Sequence, residues 1–346
     1  MVYRKPQTAQ NIDRFGRRIN YLRISVTDRC NLRCRYCMPK DIPLIAHDEV
    51  LRFDEIVLIA EAAAKVGISH LKVTGGEPLV RKGTPALCKR LKAVEGIETV
   101  TLTTNGFLLE QFLPELIDAG IDGINISLDT LSREKYKNIT GFDKLEDVKR
   151  AIHASIEAGI PTKINVAVMN GVNTDEIIPL AELAKEQKLH VRFIEMMPIG
   201  HGTEFKSFDN RSVLAKIREK YPDIARDEQV LGSGPAAYYH IPGFCGSIGF
   251  ISAINHKFCD ACNRMRLTST GLLKYCLCFE DGIDLRSILR TEDSKKAFVG
   301  EGKAREEKKQ KLEQAFRDAI SMKPQEHCFD QKKQISEHHG MSQIGG

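Results

Sequence analysis

The sequence has no apolar run of the roughly 18 residues that a membrane-spanning helix needs, which excludes a helical transmembrane protein. Residues 1–10 carry no apolar stretch of the secretory-signal kind, so the expected location is the cytoplasm, or a mitochondrion after loss of a transit peptide. There is no internal repeat and no low-complexity block, which excludes a repeat array. A strong charge excess is also missing. The net charge of +5 and pI near 8.6 suit an anionic ligand but give no argument for nucleic acid. What remains is globular composition, 42% hydrophobic and 28% charged, in 346 residues, a length that fits one large domain or two unequal ones.

Cysteine is plentiful. Ten are present, and in a chain with no sign of secretion they point to metal or redox chemistry, not a disulfide framework. Eight fall in two regions. Cys30, Cys34 and Cys37 form a C-x3-C-x2-C run. Cys259, Cys262 and Cys276 form a C-x2-C-x13-C set, with Cys278 and Cys245 nearby. Thiolates bind soft metals, and close spacing lets a loop wrap one centre. A structural zinc site wants four ligands, and the first run offers three, so one position of an iron–sulfur cluster would stay open. For the second set, zinc and an open cluster are equal on spacing alone.

From about residue 21 to 200 the chain alternates strand and helix patterns. Strands are expected at Leu22–Thr27, His70–Thr74, Thr99–Thr103, Gly123–Asp129, Thr162–Met169 and His190–Met197. Helices are expected at Phe53–Val66, Pro85–Val94, Leu108–Ala119, Leu145–Ala158 and Thr174–Glu186, the last capped by Asn173. Gly67, Gly120 and Gly159 stand at helix ends. The alternation predicts a parallel sheet with right-handed crossovers, and six units fall short of a full eight-unit barrel. The predicted fold is therefore α/β, a partial six-unit TIM-like barrel over residues 1–200. A C-terminal region, 201–322, carries the second cysteine set and closes the barrel. A mobile tail, 323–346, ends in Gly345-Gly346.

The strands alternate polar and apolar residues, unlike the continuous apolar runs usual in buried parallel strands. Arg23, Lys72, Thr101, Thr103, Asn125, Ser127, Lys163 and Asn165 oppose apolar neighbours. With a period of two, each polar set lies on one side of its strand. If the apolar set faces the helices, the polar set lines the barrel interior and gives it positive charge. Such a lumen suits a large anionic substrate.

The Cys30–Cys37 run, with aromatic Tyr36 before its last cysteine, resembles the signature of the radical S-adenosylmethionine superfamily. Thr74-Gly75-Gly76-Glu77-Pro78 resembles that superfamily's GGEP element. The second cysteine set, the Asn263–Thr268 stretch, Gly232–Tyr239, Ile248–Ser252 and the terminal Gly-Gly are similar to the GTP 3',8-cyclase family of molybdenum cofactor biosynthesis. The resemblance covers about residues 11–282 and the last two residues, and weakens across 285–340.

This resemblance implies a lyase with two [4Fe–4S] clusters and S-adenosylmethionine. One cluster would sit on Cys30, Cys34 and Cys37, the other on Cys259, Cys262 and Cys276. Tyr36, Gly76, Ser127 and Met197 would contact S-adenosylmethionine. Arg23, Lys72, Thr103, Lys163, Arg264, Met265 and Arg266 would contact GTP, with Arg264 and Arg266 also catalytic. A 5'-deoxyadenosyl radical would take the ribose 3' hydrogen, the C3' radical would attack guanine C8, and one electron and one proton would then reduce the resulting radical to 3',8-cyclo-7,8-dihydro-GTP. Implied partners are a reductant protein and a downstream cyclic pyranopterin monophosphate synthase, with a homodimer as quaternary state and no nucleic acid or membrane. Two rivals stand beside this reading. One is a radical enzyme with an auxiliary cluster acting on a peptide, the other a non-enzymatic zinc and nucleic-acid module.

Overall fold

The computed structural model describes residues 11–38, 45–228, 232–290 and 302–345. Gly346 lies outside these residues. In chain order the first half runs β1 (Tyr21–Ser25), α1 (Phe53–Lys65), β2 (His70–Thr74), α2 (Thr84–Lys92), β3 (Thr99–Thr104), α3 (Leu109–Asp118), β4 (Gly123–Ser127), α4 (Arg133–Thr140), α5 (Leu145–Glu157), β5 (Thr162–Val168), α6 (Ile177–Glu186) and β6 (Leu189–Glu195). The second half runs α7 (Asn210–Lys220), β7 (Ala225–Asp227), β8 (Ala237–His240), β9 (Ser247–Ile251), β10 (Arg264–Leu267), β11 (Leu272–Lys274), β12 (Gly282–Asp284), α8 (Leu285–Leu289) and α9 (Lys303–Ser321).

The six expected strands form, each within two residues of its sequence-based bounds, and β1 to β6 pair parallel in sequence order. The sheet does not stop there. β10 adds parallel to β1 and β9 adds parallel to β6. The parallel row is thus β10-β1-β2-β3-β4-β5-β6-β9, extended by antiparallel β11-β12 at one end and β8-β7 at the other. The sheet is not closed, as a partial barrel requires, and the C-terminal half supplies a strand at each edge of the first six.

The alternation explains the layering. Leu22, Ile24, Leu71, Val73, Leu102, Ile124, Ile126, Ile164 and Val166 are buried in one core with the inner faces of α1, α2, α3, α5 and α6. Their polar neighbours are left for the opposite face. Gly67, Gly120 and Gly159 hold positive φ just past helix ends, where a side chain would be strained.

Three local details depart from the pattern. α6 begins at Ile177, not Thr174. Asn173 is drawn away from capping, because its amide donates to the Asp129 and Ala167 carbonyls and its Oδ1 accepts from Met169 N–H. Glu176 likewise accepts from Thr130, Leu131 and Ser132. α4 has no counterpart in the expected elements. Finally, residues 323–345, for which the sequence suggests mobility, pack into the structure: His327, Phe329, Glu337 and Ile344 are buried.

Candidate active site

Parallel α/β sheets place their sites at the carboxyl ends of the strands, and the first cysteine run leaves the carboxyl end of β1. Its turn is fixed by backbone bonds from Cys37 and Met38 N–H to Cys34 O (2.9 Å each). Arg33 Nη1 donates to Cys30 O (2.7 Å) and Leu32 O (2.8 Å). Tyr36 donates its hydroxyl to Asp129 (2.7 Å) beyond the end of β4. Burial, with the neighbouring thiols, pushes the Cys34 thiol well up; burial pushes Cys30 to about 11 and Cys37 to about 12.

The Gly75-Gly76 pair has a structural cause closer than any ligand. A Cβ on Gly76 would lie 2.4 Å from Arg29 O, and one on Gly75 would lie 2.7 Å from Thr27 O. The two glycines let the end of β2 press against the backbone entering the cysteine turn, held by Gly76 N–H to Thr27 O (2.7 Å) and Glu77 N–H to Arg29 O (2.8 Å). Glu77 is buried and accepts from Leu79 N–H, Thr104 hydroxyl and Asn105 N–H. Burial raises its carboxyl to about 7.

The second set lies at the opposite mouth. Cys259 and Cys262 immediately precede β10, which runs parallel to β1. Cys276 follows β11, which runs antiparallel to β10, so all three converge at the amino ends of the parallel strands. Burial would raise the Cys262 thiol, but Arg264 and Lys323 outweigh it and hold the thiol down at about 6.

Between the two sets lies one cavity of about 650 Å³, and all six cysteines line it. Arg23, Lys72, Lys163, Arg192, Arg264 and Arg266 line it too. Register explains their layering: Arg266, Arg23 and Lys72 are consecutive partners across β10, β1 and β2, and Asn165 pairs with Arg192 across β5 and β6. Burial and neighbouring cations depress the proton affinity of Arg23, Lys72, Lys163 and Arg266. Lys72 falls well below its ordinary value, Lys163 to about 8 and Arg266 to about 9. The lining carboxylates are engaged elsewhere: Asp122 with Lys92, Asp129 with Tyr36, and Glu195 with the N–H groups of Ile254 and Asn255. Arg192 Nε, Asn165 Oδ1 and His327 Nε2 are buried without hydrogen-bond partners. Six thiols, clustered cations and orphaned polar atoms around one volume fit two thiolate-held clusters and a polyanion between them.

Thr103, Ser127, Met197, Tyr36 and Gly76 also line the cavity. Met265 does not: its side chain is in the apolar core, on the other face of β10 from Arg264 and Arg266. Arg192, Lys323 and His327 are cavity residues that sequence reasoning missed. For Arg192 a signal existed, since His190 and Arg192 alternate with Val191 and Phe193. Lys323 and His327 lie past α9 in a segment with no periodicity. The tail reaches the same place: Gly345 O accepts from Arg266 Nη1 (2.8 Å) and Arg23 Nε (3.3 Å).

An open parallel sheet with a three-cysteine turn at the end of its first strand defines the class, a radical S-adenosylmethionine enzyme. The profile of the radical SAM superfamily matches residues 24–184, and that of Molybdenum Cofactor Synthesis C matches residues 189–329. The solved Streptococcus suis SuiB bound to S-adenosylmethionine shares the fold, with a TM-score of 0.56 and 16% identity over 75% of this chain. This chain spans 61% of that one. Curated GTP 3',8-cyclases are similar over nearly the whole length. That of Heliobacterium modesticaldum is 44% identical over 97% of this chain and 100% of its own, that of Moorella thermoacetica 42% over 96% and 99%, and that of Geobacter sulfurreducens 40% over 97% and 99%. The chain belongs to the GTP 3',8-cyclase family. Coverage this complete carries the similarity through most of 285–340, where the sequence resemblance weakens.

Proposed function

We propose that this chain performs the cyclisation its family is named for, converting GTP to 3',8-cyclo-7,8-dihydro-GTP as the first step of molybdenum cofactor synthesis. The observation that carries the reading is the pairing of two three-cysteine sets at opposite mouths of one cation-lined cavity. Cys30, Cys34 and Cys37 hold one [4Fe–4S] cluster, and Cys259, Cys262 and Cys276 the other. When bound, the first cluster and S-adenosylmethionine would supply the radical chemistry that opens the ribose C3'–H bond.

The chain's own residues bind, orient and enclose. Tyr36, Gly76, Ser127 and Met197 border the S-adenosylmethionine end. Asp129 fixes the Tyr36 ring by accepting a hydrogen bond from its hydroxyl. Arg23, Lys72 and Lys163, joined by Arg192, neutralise the triphosphate from the strand face, and Thr103 adds a hydroxyl. Arg guanidinium groups bind phosphate oxygens in pairs. Arg264 and Arg266, with the Met265 backbone between them, hold the nucleotide toward the second cysteine set and stabilise the negative charge that the cyclised radical acquires when it takes up an electron, before protonation. The cavity excludes water from a carbon radical, and fixed placement keeps C3' and C8 within reaction distance.

The division proposed is a radical SAM barrel over 1–200, a second-cluster and substrate region over 201–322, and a separate tail at 323–346 whose Gly345 meets Arg23 and Arg266. A reductant protein supplies electrons, and a cyclic pyranopterin monophosphate synthase takes the product. A homodimer in the cytoplasm is the proposed setting. No helix among the described residues is long and apolar enough to cross a membrane.

The test is anaerobic. Protein reconstituted with iron and sulfide, then reduced, is given S-adenosylmethionine with and without GTP. GTP-dependent 5'-deoxyadenosine with a matching cyclic nucleotide is expected. Cleavage of S-adenosylmethionine indifferent to GTP, with no new nucleotide, would return the substrate to unknown.

A further inference from the structure

The second cysteine set is spread over two segments of irregular backbone, a single turn at Cys259–Ala261 and the residues just after β11. Neither is fixed by a regular element across the thiols. Two buried cations do that work through backbone carbonyls. Arg17 lies in the turn between Asn11 and Ile19, with its Nε and Nη2 both 2.6 Å from Asp13 Oδ2. Its Nη1 donates to Cys259 O (2.9 Å) and Gln325 O (2.7 Å), and its Nη2 to Pro324 O (2.7 Å). Lys323, next in the chain to Pro324, donates its Nζ to Arg264 O (2.9 Å) and Tyr275 O (2.8 Å). Lys323 is 2% exposed and Arg17 7%.

Every one of those carbonyls belongs to a cysteine-bearing segment or to the strap 323–325. Cys259 is itself a proposed ligand, Tyr275 adjoins Cys276, and Arg264 stands two residues after Cys262. We propose that Arg17 and Lys323 are positioning residues for the second cluster, locking the Cys259, Cys262 and Cys276 segments to one another through their backbone carbonyls. The strap is the common member: it brings Lys323 between β10 and β11 and carries Pro324 and Gln325 onto Arg17. The two cations differ in charge balance. Asp13 neutralises Arg17. Lys323 has two carbonyls as its partners and no carboxylate among the described residues, so its charge faces the thiolates across the cavity it lines. Metal ligands depend on such outer contacts for their orientation.

The inference rests on the proposed function, and the test separates the two. Full-length protein, Arg17→Lys and Lys323→Met are reconstituted anaerobically. Iron and sulfide are counted, and the reduced clusters are followed by electron paramagnetic resonance with added S-adenosylmethionine or GTP. Two clusters give about eight irons per chain. Lys323→Met keeps the stem and loses the ammonium. Arg17→Lys keeps the charge against Asp13 but cannot span three carbonyls. Both are expected to fall to about four irons, losing the GTP-responsive signal and keeping the one that responds to S-adenosylmethionine. The first cluster thus reports that the barrel is folded. Variants that keep about eight irons and an unchanged GTP response would overturn the positioning role alone. Equal loss of both clusters would overturn it as well, in favour of a general folding role. A parent protein that reaches only about four irons would remove the second cluster, and the inference with it.

Discussion

Lys163 shows how a single residue reports what the cavity is built for. Burial, reinforced by Arg192, pulls its ammonium down to about 8. A bound triphosphate raises that value again. The sign follows: below pH 8 the residue is already charged, and above it binding must take up a proton. GTP affinity is expected to weaken as pH rises through 8, with proton uptake visible when calorimetry is repeated in buffers of different ionisation enthalpy. An affinity flat from pH 7 to 9 would count against the role. Lys163→Met removes a charged hydrogen bond worth about 1.5–3 kcal/mol, so KM for GTP should rise about 10- to 100-fold while S-adenosylmethionine binding is unchanged. Gly76→Ala tests the opposite mouth. Its Cβ would meet Arg29 O at 2.4 Å, so the variant should lose iron from the first cluster and keep the second. Retention of both clusters would mean the strand end can yield.

At the scale of elements, the strap beyond α9 is the least expected part of the structure. The sequence around Arg305–Ile320 suggests a solvated, amphipathic helix, and α9 forms there with one charged, exposed face. The other buries Leu312, Ala315, Phe316, Ala319 and Ile320 in the main core against α1. Phe316→Ala should therefore cost about 3–5 kcal/mol in denaturant unfolding, where a surface cover would lose almost nothing. Past α9, Lys274 and Glu337 form a buried ion pair that ties the tail to β11. Pairing of this kind joins residues remote in sequence, and no period or spacing announces it. Gly345 holds φ at +77°, and a Cβ there would lie 3.2 Å from Ser25 Cβ. Gly345→Val should push the tail off Arg23 and Arg266 and lower kcat/KM at least about tenfold, with the thermal midpoint unmoved. The parallel strands were legible because their polar–apolar period is two and their helices lie between them. The start of α6 was not, because Asn173 and Glu176 serve the Asp129–Ser132 turn instead of the helix end.

Across the whole molecule, the sheet decides the chemistry's layout. Six strands were readable as a partial barrel. The addition of β9 and β10 at its two edges was not, since each pairs with a strand far away in sequence. That addition carries the second cysteine set to the mouth opposite the first. The five residues of β1 span the cavity between the mouths, on the order of 17 Å at about 3.3 Å per residue. Pulsed dipolar resonance between the reduced clusters should give a distance of that order, and coupling at near contact would contradict the arrangement. The lumen's cations were legible in β1, β2 and β5, while Arg17 and Lys323 act through backbone carbonyls and leave no mark in the sequence. The central claim is that hydrogen leaves ribose C3' of a GTP held between the two mouths. GTP carrying deuterium at C3' alone, turned over anaerobically with unlabelled S-adenosylmethionine, tests it most directly. One deuterium in the 5'-deoxyadenosine, in step with cyclic product, is the predicted result; deuterium-free 5'-deoxyadenosine formed alongside that product would contradict it.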